Sequence, residues 1–268
     1  MMTCKICGSS SQKVFEAKIL HKYEVSYFKC RDCGFLQTEE PYWFAEAVQE
    51  AINLSDTGIL SRSIFLSQQT ATILYFLFNR HARFVDYAGG YGILTRLMRD
   101  LGFDFYWDDL FAKNIFAEGF EYSSKLGEIA LITSFESFEH FIHPLAEIEK
   151  MLKISPNILF STELLPTPLP GPKDWWYYGL DHGQHLSFYS FNTLAYMAQK
   201  YHLNFYSNGS NIHLFTPKTL NNTLFKLLLK SSKYGLFCLV KRKMKGRSSA
   251  DIARVGSTLH NRKDLDAP

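Results

Sequence analysis

A chain of 268 residues can hold one full α/β domain plus a small appendage, and its 46% hydrophobic content supplies an ordinary packed core. A net charge of +3 is too mild to argue for a nucleic-acid partner. No apolar run approaches the roughly 18–20 residues that span a bilayer, and the first residues carry no apolar signal segment, so a cytoplasmic protein is the expectation. Aromatic residues are abundant at 16%, a surplus that often lines pockets as well as cores.

Residues 1–40 form the first expected unit. Cys4 and Cys7 are answered by Cys30 and Cys33, each pair spaced Cys-x-x-Cys and followed by a glycine. Two such knuckles bring four thiolates together, the soft tetrahedral set that selects Zn²⁺ and leaves no open position for a water. The stretches 14–20 and 23–28 between them read as a β-hairpin, so the expectation is a small zinc ribbon whose metal is structural. Cys238, the fifth cysteine, lies in an apolar run and is expected in the core.

Residues 41–80 read as a helical linker or lid, with one helix to about residue 53 and a second over 59–79. From 81 to 216 strands and helices alternate: strands at 83–87, 104–107, a short piece near 120–122, 129–134 and 157–162, with helices after 93, from Pro144 and from Ser190. This alternation predicts a doubly wound, mostly parallel sheet. The turn Asn208-Gly209-Ser210 between 205–207 and 212–215 predicts a closing antiparallel hairpin. Residues 217–247 are expected to be helical and basic, and 248–268 a polar, mobile tail.

The chemistry centres on Phe84-Val85-Asp86-Tyr87-Ala88-Gly89-Gly90-Tyr91-Gly92, a strand running into a glycine-rich turn and then a helix. That arrangement presents bare backbone to a nucleotide-like ligand at the carboxyl end of a parallel strand. The dinucleotide register G-x-G-x-x-G fails because Ile93 stands three after Gly90, and no Lys-Ser/Thr follows as a P-loop requires. Asp109, 20 residues after Gly89 at the next strand end, is the favoured carboxylate for a ribose, with Asp108 competing. Further on, a proline-rich loop leads into Trp175, Trp176, Tyr177 and Tyr178 and then His182 and His185, an aromatic loop of a length that is usually functional.

The spacing acid-x-small-x-Gly-x-Gly over 86–92 resembles motif I of class I S-adenosylmethionine (SAM) dependent methyltransferases, with Ala88 in place of the first glycine. The segment Phe135-Glu136-Ser137-Phe138-Glu139-His140 looks like the one that follows the fourth strand in that family. The resemblance implies a seven-stranded methyltransferase sheet and a SAM site made of Asp86, Ala88, Gly89, Gly90, Gly92, Asp108, Asp109, Ser134, Phe135 and Glu136. It gives Glu139 and His140 the part of opening a helix. A zinc ribbon ahead of such a domain, and a loop of the type Asp181-His182-Gly183-Gln184-His185-Leu186-Ser187-Phe188, are similar to bacterial methyltransferases that act on nucleotide-linked sugars. The implied partner is therefore a small-molecule acceptor, a sugar nucleotide or other saccharide, methylated on oxygen or carbon. A homo-oligomer is compatible with this.

Removing a proton from a sugar hydroxyl or an activated carbon needs a base near neutrality. His182 or His185 is the expected base, Tyr178 an assistant, and Trp175, Trp176 and Tyr177 the pocket wall. Two other readings fit the same residues: an RNA methyltransferase with the ribbon as reader, and an inactive binding module.

Overall fold

The computed structural model describes residues 2–48 and 56–263, with 257–263 as backbone alone. The chain divides into two units, each built from separate stretches: residues 1–56 with 131–226, and 57–130 with 227–268.

The first unit contains the cysteine ribbon. Strands β1 (Met2–Thr3), β2 (Ser10–Ile19), β3 (Tyr23–Cys30) and β4 (Leu36–Thr38) form an antiparallel sheet in sequence order. The expected hairpin is present in register, with Glu16 opposite Ser26, and extends to Cys30 itself. A fifth strand closes this sheet: β9 (Ser187–Phe188), which pairs Phe188 with Leu36. The ribbon therefore does not end as a separate module at residue 40; it takes its last strand from the histidine loop 150 residues downstream. Ile19, Val25, Tyr27, Trp43, Tyr177, Tyr178 and Phe188 share one apolar core. Burying aromatics of this size is worth roughly 1.5–3 kcal/mol each, which fixes the loop to the ribbon.

Within the same unit β7 (Leu131–Ser134) and β8 (Ile158–Ser161) run parallel, and every residue of both is buried, as expected for parallel strands covered on two faces. Between them α4 (Pro144–Ile154) starts with Pro at its first turn. The predicted hairpin follows as β10 (Asn204–Ser207) and β11 (Ile212–Thr216), with β11 antiparallel to β8. Helix α5 (Phe191–Lys200) opens on a capping box in which Ser190 accepts from the Thr193 amide. The linker helix appears as α1 (Phe44–Ala47); its expected continuation to residue 53 lies outside the described residues.

The second unit holds α2 (Ile59–Leu77), the parallel strands β5 (Arg83–Tyr87) and β6 (Asp104–Asp108), and α3 (Ile93–Asp100) between them. Among the described residues six strands lie outside the ribbon sheet, not the expected seven. The short piece at 120–122 makes only a single bridge, Glu121 beside Trp107, because the Trp107 amide and carbonyl both bond to it and no further pair follows.

Two expectations about the C-terminal part fail. Helix α6 (Asn222–Ser231) and α7 (Leu236–Lys243) are followed by α8 (Ser248–Lys263), so residues 248–263 are helical, not a loose tail. Asp251 explains this: it is buried and bonded to Arg96 and Arg99. Cys238 is exposed, not core. Val240 is the buried residue of α7, and a position two residues away falls on the opposite side of a helix.

Candidate active site

In the second unit the chain leaves β5 through Tyr87 and turns at Ala88, Gly89, Gly90, Tyr91 and Gly92 into α3. The turn is held from below. Asp86 is buried, accepts from the Thr95 hydroxyl at 3.1 Å and lies 2.9 Å from where a Cβ on Gly89 would sit. Asp86 thus shapes the turn from beneath. Above it, Gly90 has φ +54 and nothing within 4 Å of where its Cβ would project. That open space over bare backbone is the cradle a nucleoside ligand requires.

Ala88 carries the same left-handed geometry, φ +55, with a side chain. An L-residue there costs about 1–2 kcal/mol. Against the roughly 0.4–1 kcal/mol lost to a freer unfolded chain, Ala88→Gly should stabilise the protein by up to about 1 kcal/mol. A melting temperature raised by about 1–3 °C is the expected result, and an unchanged or lower value would show that the methyl group is packed to advantage.

The two carboxylates at the end of β6 differ. Asp109 uses both oxygens on backbone amides: Gly90 at 2.9 Å, Phe111 at 2.7 Å and Ala112 at 2.8 Å. Asp108 is half-buried, and its carboxylate makes no protein hydrogen bond among the described residues. Burial, and then Asp109, push its pKa up. The sequence favoured Asp109 for a ribose; the geometry gives Asp109 a part in holding the turn and leaves Asp108 with acceptor capacity to spare.

In the first unit the histidine loop is built on the ribbon. The Trp43 indole donates to the Gly183 carbonyl at 2.9 Å, and the Gln184 side chain donates to the Ala47 carbonyl at 2.7 Å. Thr193 and Ser190 hydroxyls both donate to the Cys33 carbonyl. Gly183 has φ +66, and a Cβ there would collide with the Ile19 side chain and crowd Leu20 and Trp43, so this point strongly favours glycine.

These contacts gather a cluster of histidines. The His185 ring lies 5.0 Å from that of His140, 4.8 Å from His182 and 4.7 Å from Tyr177, centroid to centroid. His185 Nδ1 is 2.6 Å from the Tyr177 carbonyl, so it carries the proton and donates; its Nε2 keeps a lone pair. A ring N–H of His140 likewise donates to the Gln184 carbonyl. His182 is arranged the other way, with Nδ1 accepting from the Gln184 amide at 3.2 Å. Burial depresses all three: His140 to about 4, His185 well below the ordinary histidine value, and His182 more mildly because Asp181 and Asp56 oppose the effect. The cluster is neutral at physiological pH. Glu139, buried, completes a set with His140 and His185 whose donor atoms lie within 4.8 Å of one another, close enough to hold a metal ion.

Tyr178 is fully buried in the ribbon core, with its hydroxyl donating to the Pro170 carbonyl at 2.9 Å and its ring packed on Phe15 and Tyr27. Tyr177 is the residue beside His185, and its hydroxyl meets Thr162 at 3.2 Å. Trp175 packs on Tyr178 and Phe188, whereas Trp176 is 76% exposed. Ser134 is buried against Ser137, at 2.7 Å between hydroxyls, and Phe135 is half-buried. Glu136 has φ +52 and is tied twice to Ser161, through its amide at 2.7 Å and its carboxylate at 2.6 Å. The resemblance assigned His140 only a helix-opening part, and Gln184 was quoted within the loop without a part of its own. His140 stands 42 residues before His182 in the sequence, so no local signal joined it to the loop, and nothing local distinguishes Gln184.

The four cysteine sulfurs lie within 4.8 Å of one another, with Cys4 and Cys33 at 3.6 Å and Cys7 and Cys30 at 3.4 Å. Metal–thiolate bonds of ~2.3 Å place sulfurs just under 4 Å apart in a tetrahedron, so the donor set fits a closed Zn²⁺ site.

Residues 64–208 match the family model of a methyltransferase domain, which is more than half of the chain. The chain belongs to that family. No curated protein sequence matches it. Among solved structures it is similar to TnmH, at 15% identity and TM-score 0.44 over 66% of this chain and 62% of that one. It is also similar to CalO1, a methyltransferase in calicheamicin biosynthesis in its SAH-bound form, at 11% identity and TM-score 0.42 over 61% and 55%. Human N-acetylserotonin methyltransferase in complex with SAM gives 16% identity and TM-score 0.37 over 66% of each chain. The chain spans less than two thirds of the length of TnmH and CalO1.

Proposed function

We propose that this methyltransferase uses SAM to methylate a small acceptor, a saccharide or nucleotide-linked sugar. The observation that carries the SAM assignment is the open space over Gly90, with the uncommitted Asp108 carboxylate at the end of the neighbouring strand. Asp108 accepts the ribose hydroxyls, and the Gly89–Gly90 backbone receives the amino-acid part. The family resemblance adds Ser134, Phe135 and Glu136 as cofactor residues. Calorimetric titration with SAM tests this: binding in the wild type, and affinity weakened at least about tenfold by Asp108→Ala, since an unmade hydrogen bond to a buried polar group costs roughly 1–3 kcal/mol. No heat of binding in the wild type would favour the inactive-module reading.

SAM supplies the electrophilic methyl group. The protein's share is to align the acceptor and take its proton. His185 is the base in this proposal, because its Nδ1 is fixed on the Tyr177 carbonyl and its Nε2 keeps the lone pair. Trp176, exposed as an indole, offers a flat apolar surface of the kind sugars stack on. A second reading rests on the Glu139, His140 and His185 set: these three residues would hold a divalent ion, which would supply Lewis-acid activation of the acceptor oxygen in place of a base.

The ribbon binds Zn²⁺ and serves as a scaffold for the histidine loop, in place of reading RNA. Its fourth cysteine is the residue whose carbonyl Ser190 and Thr193 hold, and its sheet includes β9. Cys4→Ser should release about one Zn²⁺ per chain by metal analysis and lower the melting temperature by on the order of 10 °C. Full stability without metal would refute the zinc site.

A further inference from the structure

The basic segment near the C-terminus is not used by the methyl-transfer reading. Between residues 217 and 250 there are nine Lys and Arg and no Asp or Glu. The chain has 29 Lys and Arg and 26 Asp and Glu in all, so the other 20 cations face all 26 acids. A chain of small overall charge thus consists of one segment at +9 and a remainder at −6.

The segment also exposes large apolar side chains among its cations. On α6, Phe225, Leu228 and Leu229 are buried, while Leu224 and Leu227 are 44% and 56% exposed, with Lys226 and Lys230 exposed beside them. Tyr234 follows at 76% exposed, and α7 shows Leu239 at 47% with exposed Lys241, Arg242 and Lys243. Leu224 and Leu227 are three apart, and Leu239 is three and four before Arg242 and Lys243, so leucines and cations share helical faces. Not every cation is available: Arg247 pairs with Asp104, and Lys233 lies over the Phe65 ring.

We propose that this segment docks the enzyme on an anionic membrane surface. The cations meet lipid headgroups, and the exposed leucines and Tyr234 enter the boundary beneath them. No described helix is long and apolar enough to cross a membrane, which fits a helix lying in the interface. RNA would satisfy the charge but not the leucines, which have no stacking face for bases.

Flotation of the full chain with vesicles tests the proposal without reference to catalysis. Binding to phosphatidylcholine vesicles containing phosphatidylglycerol, and not to phosphatidylcholine alone, is expected. The triple variant Lys230→Glu, Lys241→Glu, Lys243→Glu should lose more than about 100-fold in affinity, since each change removes a cation and adds an anion. Leu227→Ser with Leu239→Ser should lose about tenfold and leave the remaining binding fully salt-sensitive. These side chains are exposed, and an unchanged melting temperature confirms that the variants fold. Equal binding to both vesicle types would overturn the proposal, as would binding to neither. Binding to single-stranded RNA, lost in the triple variant, unaffected by the leucine changes and without any vesicle binding, would overturn it in favour of a nucleic-acid surface.

Discussion

His185→Asn is expected to lower kcat by about 10²- to 10⁴-fold and leave SAM affinity unchanged to within about twofold, if His185 is the base. The substitution is chosen for what it keeps. An Asn amide can still donate to the Tyr177 carbonyl, as Nδ1 does now at 2.6 Å, so the loop keeps its anchor. It offers no basic lone pair in place of Nε2. His182→Asn should cost much less, because His182 Nδ1 already accepts from the Gln184 amide and the ring's remaining nitrogen carries the proton. Burial and the neighbouring His140 and His182 hold the His185 pKa well below the ordinary value. The ring is therefore unprotonated at neutral pH, and the acid limb of kcat/KM should fall well below pH 6.5. A chelator separates the two readings of the cluster: wild-type turnover that survives brief treatment with EDTA supports a base, and turnover lost to EDTA and restored by a divalent ion supports a ligand. Normal turnover in His185→Asn would remove His185 from the chemistry altogether.

Much of this was legible in the chain itself, for reasons that can be named. The cysteine knuckles, the glycine turn and the Ser190 cap are local signals, set by residues within a few positions of each other. β3, β5, β10, β11, α2 and α5 fall within two or three residues of where the pattern put them, and β2 begins four residues earlier. What the pattern could not show was joining across long separations. Nothing in Ser187-Phe188 states that it will pair with Leu36, and the ribbon therefore looked like a detached module. Tyr178 looked like a catalytic phenol because the sequence has no means of showing that Phe15, Tyr27 and Phe188 surround it. The pattern favoured Asp109 over the adjacent Asp108 for a ribose, and could not show that the backbone amides of Gly90, Phe111 and Ala112 occupy the Asp109 carboxylate.

The same limit explains the C-terminal helix, and it leads to the largest stability effect expected. Arg99 is 1% exposed, a guanidinium inside the second unit. It is neutralised by a two-pronged pair with Asp251, at 2.8 and 2.7 Å, and by Asp104 at 2.9 Å; it also donates to the Phe105 carbonyl at 2.7 Å and lies 3.7 Å over the Phe120 ring. Arg96 joins Asp251 at 2.8 Å. Removing one partner from a buried pair costs about 3–5 kcal/mol, because the remaining charge has lost its compensation. Asp104 softens that, so Asp251→Ala should cost about 3 kcal/mol and lower the melting temperature by roughly 6–12 °C. Asp251→Asn should cost nearly as much, since it keeps the shape and removes the charge. Burial alone would raise the Asp251 pKa; the hydrogen bonds from Arg99 and Arg96 outweigh it and hold the group below the ordinary carboxylate range. A depressed pKa in the folded state stabilises above the unfolded value, and that stabilisation disappears as pH falls through the folded value. The wild type should therefore lose melting temperature more steeply than Asp251→Ala below about pH 4, and the two curves should converge there. Parallel curves across that range, or a variant as stable as the wild type at pH 7, would mean that Asp251 does not secure α8 and that Arg99 is compensated by Asp104 and the Phe105 carbonyl alone.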